Sequence, residues 1–498
     1  MNPASSALAH FLVAVVFLAR AAAASTCEDL TALAIKNVTI TSARLFAAGT
    51  VRPASGAPRE VPASCRVAAT LKPTSDSDIK MEIWMPVERW NSKFQANGNG
   101  GWSGFINPAA LASGVQRGYA AAMTDTGHEG SSASFALGHP EKLIDFGYRS
   151  AHEVAVTAKA VIAAFYGRPP KLSYWVGCSA GGRQALMEAQ RYPADFDGIV
   201  AGAPGLNWTG RALESIWVAQ AVHRDEASYI VPGKYGIIHE AALRACDELD
   251  GLKDGVLENP ERCKFDPRVL ECQDADGPGC LSAAQVEAAR KIYAKRRNPA
   301  TKRLIVPGLE PGSELGWATM GGPQPLRIGL DLFRYVVFED PDWNYHSFQF
   351  DADVERTETA ERGLLNAVDA NLKPFFERGG KLIQYHGWND PQIPPGFSVE
   401  YFESVLQALG ADRVAKSYRL FMVPGMAHCG GGEGTSSFDM LTALEQWVEK
   451  GNAPDRILAS RIRGGAVDRT RPLCPYPQVA VYQGTGSTDD QANFACKP

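Results

Sequence analysis

The chain has 498 residues, 45% of them apolar, with a formal net charge of −5. That length supports a large core, and a mildly acidic chain with no long basic run excludes nucleic acid as an expected partner. Ten cysteines without one Cys-x-x-Cys pair argue against a zinc site or a dithiol redox motif.

Residues 1–24 read as a signal peptide. Ala7 to Ala24 is one apolar stretch broken only by His10 and Arg20, and Ala21-Ala22-Ala23-Ala24 supplies small residues for cleavage. No Lys or Arg precedes the stretch, so the n-region is weak; a membrane anchor is the alternative, although the run is short for a span of ~20 residues. Export makes disulfides the expectation for Cys27, Cys65, Cys178, Cys246, Cys263, Cys272, Cys280, Cys429, Cys474 and Cys496. Sequence alone leaves the connectivity open. Local spacing favours Cys246–Cys263, Cys272–Cys280 and Cys474–Cys496, and the early Cys27 and Cys65 are natural partners.

The first core segment is predicted over 25–205. Ile79 to Met85 alternates apolar and polar residues as a strand does, and Gly118 to Thr124 is a short apolar run. Between them, Asn97-Gly98-Asn99-Gly100-Gly101-Trp102-Ser103-Gly104 marks a loop where the backbone comes close to something, or a flexible hairpin tip. Helical spacing predicts a helix over 149–166, stopped by Pro169-Pro170; a buried strand follows over 172–177 and a helix over 181–191. Residues 206–372 carry helical patterns and many aromatics without a convincing run of buried strands, which predicts an inserted lid. Strand signals return at Lys381–Tyr385 and Tyr418–Val423, and Asp439 to Lys450 is an amphipathic helix, so 373–498 completes the core. Strands and helices alternating on both sides of an insertion predict an α/β fold with a mostly parallel sheet. The insertion is expected above the carboxyl ends of its strands.

Ser179 lies in Gly177-Cys178-Ser179-Ala180-Gly181-Gly182. Alone, Gly-x-Ser-x-Gly is often a simple turn. A strand before it and a helix after it provide the context of a nucleophile elbow, where the hydroxyl is lifted clear of the sheet and the N–H of Ala180 points at the same space. The base is expected late in the chain. His428 fits, with His386 and His128 as rivals. Asp390, in His386-Gly387-Trp388-Asn389-Asp390-Pro391, is the expected acid; otherwise it is a turn aspartate, and Asp125 is the alternative. The order Ser179, Asp390, His428 is that of an α/β-hydrolase. Cys178 precedes the serine and Cys429 follows the histidine, so a Cys178–Cys429 bond would hold nucleophile and base together; the rival reading is two free buried cysteines. Gly100 or Gly101 is the second expected oxyanion donor. In Cys246-Asp247-Glu248-Leu249-Asp250-Gly251-Leu252-Lys253-Asp254-Gly255-Val256, three aspartates recur on a glycine-bent loop, which suits a structural calcium or is a solvated acidic loop.

Together these motifs resemble the tannase and feruloyl esterase family, which also contains a mono(2-hydroxyethyl) terephthalate hydrolase. The resemblance covers nearly all of the mature chain. It implies an α/β-hydrolase core with a large inserted lid, a Ser179–Asp390–His428 triad over a Cys178–Cys429 bond, and oxyanion donors from Ala180 and the glycine loop. It also implies a structural Ca2+ held by Asp247, Asp250, Leu252, Asp254 and Val256, the last through backbone carbonyls as for Leu252. Trp317, Phe333, Arg334, Tyr335, Phe338, Trp343 and Tyr345 are candidates for meeting an aromatic substrate. Ile393 stands where the resemblance gives the terephthalate enzyme a phenylalanine, a departure that favours a hydroxycinnamate esterase; a tannase and a terephthalate monoester hydrolase are the alternatives. A secreted or periplasmic enzyme is expected, acting on a small aromatic ester or plant cell-wall polymer, as a monomer or weak homo-oligomer without a membrane partner. A non-catalytic binding module or a serine peptidase on the same fold are the competing classes.

Overall fold

The structure is a computed structural model that describes residues 25–52, 58–274, 277–298 and 302–498. The leader expected over 1–24 lies outside the described residues. Nine strands form the central sheet: β1 (Val38–Phe46), β2 (Ser64–Leu71), β3 (Ile79–Pro86), β4 (Lys93–Asn97), β5 (Ala120–Thr124), β6 (Leu172–Cys178), β7 (Gly198–Gly202), β8 (Lys381–Gly387) and β9 (Tyr418–Val423). Their spatial order is β1-β2-β3-β5-β4-β6-β7-β8-β9. The first four in that order pair antiparallel, and every pairing from β5 to β9 is parallel. Helices cover both faces, giving the α/β-hydrolase architecture.

Period-two burial explains the layering. Trp175, Ile199, Leu382 and Leu420 join one apolar cluster, while Tyr174, Val200, Ile383 and Phe421, each one residue away, join another. Helix α1 (Ser150–Tyr166) and helix α2 (Ala180–Arg191) bury Val154, Ala158, Val161, Leu186 and Met187 in the first cluster. On the other face, the helix Met440–Lys450 buries Leu444 and Trp447, and Asp439 caps it by accepting the Thr442 N–H at 2.9 Å.

The inserted segment runs between β7 and β8, which are themselves hydrogen-bonded neighbours. Among its described residues the only ladder pairs Arg296–Arg297 with Leu304–Val306; the rest is helices, turns and loops. Helix α3 (Trp208–Val222) opens it, capped by Asn207. Two hairpins near the C-terminus, Ile457–Arg463 with Ala466–Leu473 and Val479–Tyr482 with Phe494–Lys497, were not legible in the periodicity. All five expected disulfides are present. No helix of the described residues is long and apolar enough to cross a membrane.

Candidate active site

Strand register brings the chemistry together. Cys178 pairs with Gly202, Gly202 with Tyr385, and Gly387 with Val423, so β6, β7, β8 and β9 end side by side. Ser179 follows β6, Asp390 follows β8 and His428 follows β9. Three stretches far apart in sequence therefore open onto one edge, where parallel sheets place their sites.

Ser179 is held at φ 64° and ψ −123°, a left-handed backbone unusual for serine. Its N–H donates to Gly202 O at 3.0 Å, and its carbonyl accepts from Gly205 at 3.1 Å and Arg183 at 3.0 Å. The turn is tight because backbones nearly touch: a Cβ on Gly98 would lie 2.4 Å from the Cα of Gly181, so a larger residue at either position would force the glycine loop off the elbow. The chain then enters α2, whose N-terminal N–H groups favour negative charge at this point.

His428 is mostly buried, and its Nδ1 lies 2.7 Å from Asp390 Oδ2. Asp390 is fully buried; its Oδ1 accepts the N–H groups of Gln392 at 2.8 Å and Ile393 at 2.9 Å. Burial pushes its carboxyl up, but the His428 charge and the hydrogen bonds from His386 and His428 outweigh that and hold it well below the usual carboxylate range. Cys178 and Cys429 are bonded, with Cα atoms 6.0 Å apart.

Among the described residues, no acceptor takes the N–H of Ala180, Gly100 or Gly101. The glycine loop is fixed from behind. Asn99 N–H donates to Gln184 Oε1 at 2.9 Å, Gln184 Nε2 donates to Asn99 Oδ1 at 3.2 Å, and Gly181 N–H donates to Asn99 O at 2.7 Å. Trp102 Nε1 donates to Ile328 O at 2.9 Å, which closes the loop against the inserted segment.

The rival groups are occupied elsewhere. His128 stacks on Phe135 with ring centroids 3.8 Å apart, and its Nε2 faces Trp102 O at 2.8 Å. Asp125 accepts the N–H groups of Lys80 and Gly127, and burial raises its carboxyl to about 6. His386 touches Asp390 rather than the nucleophile. Of the aromatic candidates, Trp317, Phe333 and Trp343 are consumed in packing within the inserted segment, while Tyr335, Phe338 and Tyr345 are only partly buried. Arg334 Nε donates to Trp343 O at 3.3 Å. Ile393 is 1% exposed and faces Gly205.

Sequence reading missed the Asn99–Gln184 clasp and Arg211. The Arg211 guanidinium on α3 is buried with Nη1 unpartnered among the described residues; burial lowers it to about 10, and the Asp390 charge opposes that shift. An asparagine among glycines was the one visible hint of the clasp. Arg211 gave none.

In the aspartate loop, Asp250, Leu252, Asp254 and Val256 line one small pocket with Glu258. Among the described residues, buried Asp247 Oδ1 lacks a partner, and burial with the charges of Asp254 and Asp247 raises Asp250 to about 6. Crowded, under-compensated carboxylate oxygens are a donor set that suits a hard cation. Against this, Asp254 Oδ2 is also met by Arg471 at 2.5 Å and Arg469 at 3.2 Å, and among the described residues no three His, Cys, Asp or Glu side chains form a group that could hold a metal as they stand.

Residues 65–497 match the family described as tannase and feruloyl esterase. The chain belongs to the tannase and feruloyl esterase family. Membership makes it a carboxylic ester hydrolase. It is 38% identical to an uncharacterized esterase of Xanthomonas campestris pv. campestris, over 96% of this chain and 92% of that one. It is 34% identical to a protein of Aspergillus terreus named probable feruloyl esterase B-2, over 87% of this chain and 86% of the relative. The crystal structure of feruloyl esterase B from Aspergillus oryzae superposes with a TM-score of 0.89 at 29% identity, covering 95% of this chain and 99% of that one. Tannin acyl hydrolase from Aspergillus niger shares the fold at 23% identity and a TM-score of 0.74.

Proposed function

We propose that this family member is a secreted or periplasmic serine esterase that cleaves esters of aromatic acids, hydroxycinnamoyl esters of plant polymers above all. The observations that support the reading are a strained Ser179 elbow, a His428–Asp390 pair, and a disulfide between Cys178 and Cys429, the residues next to Ser179 and His428. His428 Nδ1 faces the carboxylate, which leaves Nε2 for the proton of Ser179 Oγ. The serine oxygen attacks the ester carbonyl, and the N–H groups of Ala180 and Gly100 or Gly101 receive the oxyanion. The alcohol leaves with the proton from His428. Water then attacks the acyl-enzyme with His428 again as base. Asp390 keeps the imidazole oriented and stabilises its charged form.

The segment over 206–372 acts as the lid, with partly buried Tyr335, Phe338 and Tyr345 as its aromatic contributions. Residues 1–24 serve as the export signal, and five disulfides suit an oxidising compartment. A calcium ion on Asp247, Asp250 and Asp254, with the Leu252 and Val256 carbonyls, would tie the loop together and supply no step of the reaction.

The test compares kcat/KM for methyl ferulate, methyl gallate and mono(2-hydroxyethyl) terephthalate, with Ser179→Ala as control. Ferulate is expected to lead and S179A to be inactive. Dominant gallate or terephthalate turnover would replace the substrate reading, and an active S179A would end the serine mechanism.

A further inference from the structure

His386 ends β8 four residues before Asp390, with its side chain fully buried. Its Nε2 lies 3.1 Å from Asp390 Oδ2 and 2.9 Å from Ile393 O, and its Nδ1 lies 2.7 Å from Ser398 Oγ. Both neighbours of Nε2 are acceptors, so Nε2 carries the hydrogen and shares it between them. In the neutral ring Nδ1 is then an acceptor, and the Ser398 hydroxyl donates to it. The two acceptors at Nε2 thus fix the tautomer, and the Ser398 hydroxyl on the side remote from Asp390 holds the ring in place.

Asp390 Oδ2 is also the oxygen that faces His428 Nδ1 at 2.7 Å. One carboxylate oxygen stands between two imidazoles, while the other is saturated by the N–H groups of Gln392 and Ile393. Resting on the esterase reading of Ser179, we propose that His386 is a positioning residue. Its Nε2–H orients the Asp390 carboxylate toward His428 and withdraws part of the charge that would otherwise act on the His428 imidazolium. The ionisable groups facing Asp390 are His386 from β8, His428 from the loop after β9, and Arg211 from α3, whose charge acts on it through space.

Removing the His386 donor leaves more negative charge facing His428. The imidazolium is then favoured, and the acidic limb of kcat/KM against pH moves upward. For His386→Leu, kcat should fall about 10- to 100-fold with KM within about threefold, and the limb should rise by roughly half a pH unit or more. His386→Gln keeps an N–H donor at the end of the side chain and should recover part of both effects. A folded H386L with wild-type kcat and limb overturns the proposal. So does a lower kcat with an unmoved limb and no recovery in H386Q, because lost packing alone would do that. If H386L fails to fold, Ser398→Ala decides: loss of the hydroxyl that anchors the His386 ring should lower kcat about threefold or more and move the limb the same way, and an unchanged S398A overturns the idea. S179A is run alongside on the same ester. Turnover surviving in S179A sinks the serine reading, whereas an inactive S179A beside an unaffected H386L sinks only the role of His386.

Discussion

Cys178 and Cys429, 251 residues apart in the chain, stand with Cα atoms 6.0 Å apart and share a disulfide. One precedes Ser179 and the other follows His428. The bond therefore limits how far nucleophile and base can separate. Replacing both cysteines with serine should lower kcat about tenfold or more, because positioning errors of an ångström are costly. Closure of so long a loop is also expected to contribute about 2–5 kcal/mol of stability. Melting curves and kcat on methyl ferulate check both, and a folded double variant with wild-type kcat would show that the bridge is only structural.

Asp390→Asn should keep the fold and lose about 10³- to 10⁴-fold in kcat, because an amide no longer imposes the tautomer that leaves His428 Nε2 free to accept. The same carboxylate is depressed in the folded state, so its stabilising contribution is present above the unfolded value of about 4 and is lost as pH falls through the folded one. Melting temperature should consequently depend less on pH between about 4 and 2 in D390N than in the parent.

Gln184 holds the glycine loop through two hydrogen bonds to Asn99. Gln184→Ala should let Gly100 and Gly101 drift from the oxyanion position, lowering kcat about tenfold with little change in KM. A change confined to KM would place the loop in substrate binding instead.

Glu214 on α3 is buried, with Oε1 unpartnered among the described residues, and burial raises its carboxyl to about 8. A raised folded value means the native state holds the proton longer than the unfolded chain does. Its contribution is fully present below the unfolded value of about 4.3 and is lost as pH rises through about 8. Glu214→Gln should therefore stabilise the protein by about 1–3 kcal/mol at pH 9 and by much less at pH 5. Equal effects at both pH values would show that the carboxyl is not protonated in the native protein.

Chelation tests the aspartate loop. If calcium is bound there, removing it should lower the melting temperature by several degrees, roughly what a loss of 1–2 kcal/mol gives, and leave kcat at low temperature nearly unchanged. An unaffected melting curve would return the loop to a solvated turn tied down by Arg469 and Arg471.

Much of this was legible in the residues because it is local. The alternation of Ile79 to Met85, the strand-Ser179-helix context and the serine–aspartate–histidine order need only periodicity and chain position. Pairing of the ten cysteines was legible only as a preference, from short spacings and one chemical argument; the fold decided it. Other features depend on which strand ends lie beside which. That His428 would meet Asp390 across 38 residues, that Gln184 would clasp Asn99 across 85, and that a buried Arg211 would stand near the acid all require segments from different parts of the chain to come together. The same limit applies to the aromatic candidates: composition counts rings, but only packing decides that Trp317, Phe333 and Trp343 fill the inserted segment's core. Sequence set the chemical groups available and their order along the strands, because side-chain periodicity and turn geometry are properties of neighbouring residues. Tertiary structure decided which groups meet, because hydrogen bonding and burial depend on distance in space, and the register of β6 through β9 sets those distances.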